Sequence, residues 1–197
     1  MKISDALKQS KKIKEEATKF LNKIKITDKL SEYGQVNLIG SYTYDVMWAR
    51  DIDFHVVIKK FDQKIVKSFF NYLVDKFFFE EIIFHDKHKF NKEAAQRYAS
   101  KKALDSYYFG LRSNYNSNLW QIGVNFITQR QEASVEIGKL FEKATEKQRG
   151  IIVKYKILLR EMGYGISSAY IYRAVLEKNI KSKEGLLVYL RSIGYKI

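Results

Sequence analysis

At 197 residues, 46% of them hydrophobic and 15% aromatic, the chain is long and apolar enough for one ordinary domain or a domain with a smaller lobe, and its composition excludes a disordered polypeptide. It contains no cysteine, which excludes disulfides, thiolate metal centres and cysteine nucleophiles, and its three histidines, His55, His85 and His88, are too scattered for a histidine-rich metal site. A net charge of +14 favours an acidic partner, but 28 lysines against 8 arginines in a proline-free chain is also what AT-rich coding produces, so most lysines are read as solvated surface. The strongest apolar run, around Phe77 to Phe84, is interrupted by Glu80 and Glu81, and the first twenty residues are rich in Lys and Glu. No membrane partner is expected, and a cytoplasmic location is.

In chain order, Ser4 is placed to cap a helix through Ala6, Leu7, Ile13, Ala17, Phe20, Leu21 and Ile24. Tyr33-Gly34 breaks that pattern before a short strand, Gln35 to Ile39. From Asp51 to Ile58 the alternation predicts a strand with Ile52, Phe54, Val56 and Ile58 on one face and Asp51, Asp53 and His55 on the other. A helix is expected over Phe61 to Lys76, a strand over Phe77 to His85, and a basic loop over Asp86 to Lys92. Leu104 to Leu111 and Leu119 to Thr128 read as a hairpin joined by the Asn- and Ser-rich stretch from Arg112 to Asn118. In its second strand Trp120, Ile122, Val124 and Phe126 share the apolar face, and Gln121, Gly123 and Asn125 the polar one. From Ser134 the pattern is helical, with a stripe of Ile151, Ile152, Tyr155, Leu158, Leu159 and Met162, and with Ser167 and Ser182 as caps of two further helices. The expected fold class is α+β, with a mixed sheet flanked by helices over residues 1–130 and a C-terminal helical lobe over 131–197.

Two acids at the head of an otherwise apolar strand need a use. Residues two apart on a strand project the same way about 7 Å apart, so Asp51 and Asp53 can converge on one divalent cation. Mg²⁺ (or Mn²⁺) takes few protein carboxylates and completes its shell with phosphates and water. At the end of the preceding strand, Gly40 permits close backbone approach and Ser41 offers a hydroxyl and an amide, which suits the phosphates of a nucleotide. This conjunction, Gly40-Ser41 followed about ten residues later by Asp51-Ile52-Asp53, resembles the nucleotidyltransferase superfamily typified by DNA polymerase beta, poly(A) polymerases and antibiotic nucleotidyltransferases. Within it the run GSYTYDVMWARDIDFHVVI looks most like the bacterial small-molecule type. The resemblance implies transfer of a nucleoside monophosphate from a nucleoside triphosphate, ATP included, to a hydroxyl acceptor, using two Mg²⁺ ions with Asp51 and Asp53 as metal ligands, and release of pyrophosphate. The acceptor, a small molecule, a protein or RNA, is left open.

The resemblance also implies a third carboxylate on a later strand, three residues after a tryptophan in this subtype. Trp120-Gln121-Ile122 is followed instead by Gly123. Asn125, on the same face, and Asp105, which reaches that face if the hairpin is symmetric about Tyr115, are candidate replacements. His55 extends the polar face either as a hydrogen-bonded neighbour of the site or as a metal ligand, Arg50 is placed to meet either a phosphate or Asp51, and Trp48, Tyr42 and Tyr44 either stack on a base or pack. Three readings stay open: an active nucleotidyltransferase, a catalytically degenerate member that binds nucleotide or nucleic acid, and a basic binding protein of unrelated fold.

Overall fold

The apolar recurrence at the N-terminus forms α1 (Ile3–Ile24) in the computed structural model, which describes residues 1–76, 78–88 and 105–197. Ala6, Ile13, Ala17, Phe20, Leu21 and Ile24 are all buried along it. The helix already includes Ser4, whose hydroxyl donates to Asp5 instead of capping. Lys25, left-handed at φ 51°, ends this helix, and a short α2 (Ile26–Ser31) buries Ile26 and Leu30.

Contacts divide the chain into two compact units. One comprises Glu16–Tyr42 and Arg50–Arg130; the other takes Met1–Glu15, Thr43–Ala49 and Gln131–Ile197. The helical unit therefore recruits two segments that a boundary near residue 130 leaves with the sheet.

In the first unit, β1 (Gln35–Ile39), β2 (Asp51–Val57), β3 (Glu81–Asp86), β4 (Tyr107–Tyr115) and β5 (Asn118–Ile127) form one sheet in the order β1-β2-β5-β4-β3. Only the central β2–β5 pair is parallel; the other three pairings are antiparallel. The predicted alternation decides the faces. Ile52, Phe54, Val56, Trp120, Ile122, Val124 and Phe126 are buried on one side. There Phe20 of α1 meets Trp120 with ring centroids 5.4 Å apart, and Phe69 of α4 (Gln63–Lys76) meets Phe109 and Phe126 at 5.0 and 5.3 Å. The expected strand over Phe77 to His85 is shorter, beginning only at Glu81. Phe77 and Leu104, and the part of the basic loop after His88, lie outside the described residues.

The hairpin is tighter than the composition suggests. Both strands run on until only Asn116 and Ser117 remain between them, at φ 50° and 58°. Two successive left-handed residues are what a two-residue primed turn requires, and Asn and Ser tolerate that region well enough to need no longer loop. Tyr115, stacked on Phe20 at 5.1 Å, helps carry the strand through the stretch expected to be turn. Ser117→Gly should therefore raise stability by about 0.5–1 kcal/mol, read as a higher urea midpoint at unchanged slope, because glycine removes the left-handed steric cost at this position. The register of this turn sets Gly110 opposite Gly123 and Tyr108 opposite Asn125.

The second unit is built from α5 (Glu132–Glu142), α6 (Glu146–Glu161), α7 (Ser168–Tyr172) continued by a π-helical turn (Arg173–Glu177), and α8 (Lys183–Ser192). Thr145 and Gln148 form a reciprocal capping box at the start of α6, and Ser182 accepts from the Gly185 amide at the start of α8. Ser167 precedes α7 but makes no capping hydrogen bond. Lys156, 3% exposed, donates to the Val46 carbonyl at 3.2 Å and the Tyr172 hydroxyl at 3.4 Å, while Arg149 donates to the Tyr44 carbonyl at 3.2 Å. Ser10 donates to the carbonyl of Asp45, whose carboxylate pairs with Lys14. The stretch between α3 (Gly40–Thr43) and β2 is thus held by several polar anchors on its backbone carbonyls.

Candidate functional site

The sheet face opposite the aromatic core carries the polar residues of each strand, and the two partners of β2 decide what its aspartates meet. β1 sets Ile39 opposite Asp53, so the Gly40-Ser41 turn opens beside that carboxylate. A Cβ on Gly40 would stand 3.3 Å from Asp53 Oδ2, and Gly40 itself lies at φ +71°, where a side chain is strained. On the other flank β5 sets Gly123 opposite Asp53, and a Cβ there would stand 2.7 Å from Asp53 Oδ1. Asp53 lies between two glycines. Ser41 follows in the first turn of α3, half-buried.

Asp51 and Asp53 line a cleft of about 220 Å³ with Glu81, Tyr108, Arg112 and Gln121. That is smaller than the roughly 300–1,000 Å³ of sites that enclose a whole small ligand, and Gly40 and Ser41 are not among its lining residues. Two hard oxygen donors on one strand face, with open backbone on either side, fit a divalent cation that takes few protein ligands and shares it with phosphates. Among the described residues no group of three or more His, Asp or Glu side chains is arranged to hold a metal.

The remaining candidates are dispersed. His55 is 6% exposed and packs on the same strand, where burial pushes its imidazole below its ordinary value of 6.5 and keeps it neutral near pH 7. Arg50 turns to Glu16, donating at 2.8 and 3.2 Å, and its guanidinium lies over Trp120 at 5.8 Å. Asn125 is on the polar face as expected, but its carbonyl oxygen accepts from buried Ser106 at 3.2 Å. The Asp105 expectation is corrected by the register. With Tyr108 opposite Asn125, the hairpin is offset by an odd number of residues from symmetry about Tyr115, and Asp105 precedes β4 and meets His88 at 3.0 Å. The nearby aromatics pack: Tyr44 stacks on Phe141 at 4.2 Å, Tyr42 bonds Thr18 at 3.1 Å, and Trp48 packs against the core of the helical unit.

Sequence reasoning missed Tyr108. It stands two residues before Gly110 on the cleft face of β4, and burial, then the negative charges of Asp53 and Asp51, raise its phenol above the usual range. The Lys87 ammonium lies 4.4 Å from its ring centroid and is itself lowered by burial. Reading Asn116-Ser117 as a two-residue turn would have set Tyr108 opposite Asn125 on the polar face of the hairpin.

No sequence-family model matches the chain, and no curated relative matches it by sequence. Its structure does have likenesses. The polymerase core of TRAMP, an RNA surveillance complex, superposes with a TM-score of 0.52 at 15% identity, over 91% of this chain and 58% of that one. The Cid1 poly(U) polymerase gives 0.57 at 16%, over 84% and 49%, and the non-canonical poly(A) polymerase complex GLD-2–GLD-3 gives 0.52 at 12%, over 94% and 63%. The chain spans less than two thirds of the length of each. At such identities the likeness shows the fold alone, a nucleotidyltransferase-like fold shared with these polymerase structures. The mixed sheet flanked by helices is α+β, as its alternation predicts, and among the described residues no helix is long and apolar enough to cross a membrane.

Proposed function

We propose that the chain transfers a nucleoside monophosphate from a nucleoside triphosphate to a hydroxyl. The observation that carries this reading is the position of Asp53, set by its two neighbouring strands between Gly40 and Gly123 with Asp51 on the same face. Asp51 and Asp53 would hold a divalent cation, Mg²⁺ or Mn²⁺. When bound, it screens the triphosphate and makes the α-phosphorus more open to attack. Gly40 leaves room for phosphate oxygens against the backbone, and the Ser41 hydroxyl and amide donate to them. The acceptor oxygen forms its bond to the α-phosphorus as the bond to the pyrophosphate oxygen breaks, and the acceptor proton leaves to solvent or to an aspartate.

The 3′ hydroxyl of RNA is the favoured acceptor, since the compared structures are described as poly(U) and poly(A) polymerases and an RNA surveillance core, and a chain of net charge +14 attracts a polyanion. A second reading, nucleotide binding without chemistry, is favoured by Gly123 at the position where a third carboxylate is expected. Incubation with each triphosphate, an RNA with a free 3′ end and Mg²⁺ or Mn²⁺ should yield pyrophosphate and lengthened RNA. Metal-dependent triphosphate binding with no pyrophosphate from any acceptor class would select the binding reading. Equal triphosphate affinity in Mg²⁺ and in excess chelator would overturn both.

A further inference from the structure

We infer that the acceptor is recognised through the phosphodiester next to its reacting hydroxyl, held on the sheet by Tyr108, Arg112 and Gln121, so that the acceptor is the end of a nucleic acid strand and not a neutral sugar or a protein side chain. This rests on the nucleotidyltransferase reading above and deepens it.

The strand pairings set three rows across the polar face. Glu81, Arg112, Gln121 and Asp51 form one, His85, Tyr108, Asn125 and His55 another, and between them run Ile83, Gly110, Gly123 and Asp53. The middle row carries no side chain on its two central strands, so a furrow crosses the sheet toward Asp53. The cleft of about 220 Å³ lies along it. Leu111 and Ile122 also line that cleft, and because their side chains are buried they give it a floor of backbone. Tyr108 leans in from one flanking row, its hydroxyl 3.1 Å from where a Cβ on Gly110 would stand. Arg112 and Gln121 stand in the other row.

The two ends of the furrow differ in chemistry. Asp51 and Asp53 occupy the β2 end, whereas over β4 and β5 it is bordered by donors: a phenol that burial and those aspartates keep protonated, an amide and a guanidinium. Glu81 pairs with Arg112 through one nitrogen at 2.9 Å, and with side chains 42% and 48% exposed the pair is screened by solvent and leaves other guanidinium donors for a ligand. The Lys87 ammonium, 4.4 Å from the Tyr108 ring centroid, adds positive charge on the opposite flank. Gly110 stands two strands from Asp53, roughly 10 Å at the usual strand spacing. A group seated there is thus a neighbour of the reacting one, and a guanidinium with two neutral donors suits a singly charged phosphodiester.

The test measures fluorescence anisotropy of a 5′-labelled hexaribonucleotide with the whole chain in Mn²⁺ and no triphosphate, with circular dichroism to verify folding. A second strand carries an uncharged methylphosphonate at its last linkage, and a third carries it at the first. Wild type should bind the second strand about tenfold more weakly than the native one and the third nearly as well as the native one. Arg112→Gln should bind the native and second strands alike, and Tyr108→Phe should narrow the gap. Equal wild-type affinity for the native and second strands, or a loss in Arg112→Gln by the same factor on all three, would overturn the inference. So would an equal loss of Mn²⁺-dependent triphosphate-analogue binding in Arg112→Gln, since these donors would then hold the triphosphate. Analogue binding by wild type that ignores Mn²⁺ would instead overturn the nucleotidyltransferase reading, whatever the strands show.

Discussion

Asp53→Asn should weaken Mn²⁺-dependent binding of a triphosphate analogue by about a hundredfold, or about 3 kcal/mol, while binding in excess chelator stays equal or becomes tighter. The two arms have opposite signs for one reason. With the cation bound, the carboxylate supplies one of two negative charges on the β2 face; without it, the same charge repels the triphosphate. Asparagine keeps the size of the side chain between Gly40 and Gly123, so the variant tests charge more than packing. Calorimetry in Mn²⁺ and in chelator measures both arms. A folded Asp53→Asn protein with wild-type affinity in Mn²⁺ would remove this residue from the site.

The largest loss of stability is expected from Phe69→Ala, about 3–5 kcal/mol. Phe69 is fully buried and meets Tyr33, Phe109 and Phe126 edge to face at 6.0, 5.0 and 5.3 Å. It joins α4 to β4 and β5, so truncation removes a large buried ring and leaves a cavity among other rings that relax only partly. Chemical denaturation should show a midpoint well below that of the wild type at similar slope. A change below about 1 kcal/mol would mean that the aromatic layer closes over the gap.

On the proposed function, these two residues would bear on nucleotide binding from different parts of the molecule. Asp53 would act by charge at the cleft, whereas Phe69 would act from the opposite face of the sheet by fixing the strands that carry Gly110, Gly123 and Tyr108. Partial loss of binding in Phe69→Ala would therefore track unfolding and be restored by lower temperature; loss in Asp53→Asn would not.

Period-two alternation was sufficient to assign both faces of β2 and β5. A strand buried on one side only must alternate, and Ile52, Phe54 and Val56 against Asp51 and Asp53 leave a single way to do so. The spacing of Gly40-Ser41 and Asp51-Ile52-Asp53 was likewise legible, because a glycine turn and a pair of strand acids are local features. The absence of cysteine needed no structure at all. Alternation fixes parity along one strand, however, and says nothing about which residue of another strand lies opposite. Only the parallel pairing of β2 with β5 set Gly123 against Asp53, and only the two-residue turn at Asn116 and Ser117 carried Tyr108 to the cleft face beside Gly110 and left Asp105 outside β4 with His88. The membership of the helical unit was equally hidden. Its recruitment of Thr43–Ala49 involves hydrogen bonds from Arg149 and Lys156 to backbone carbonyls more than a hundred residues away in sequence, and every residue has such a carbonyl, so sequence carries no mark of which ones are used.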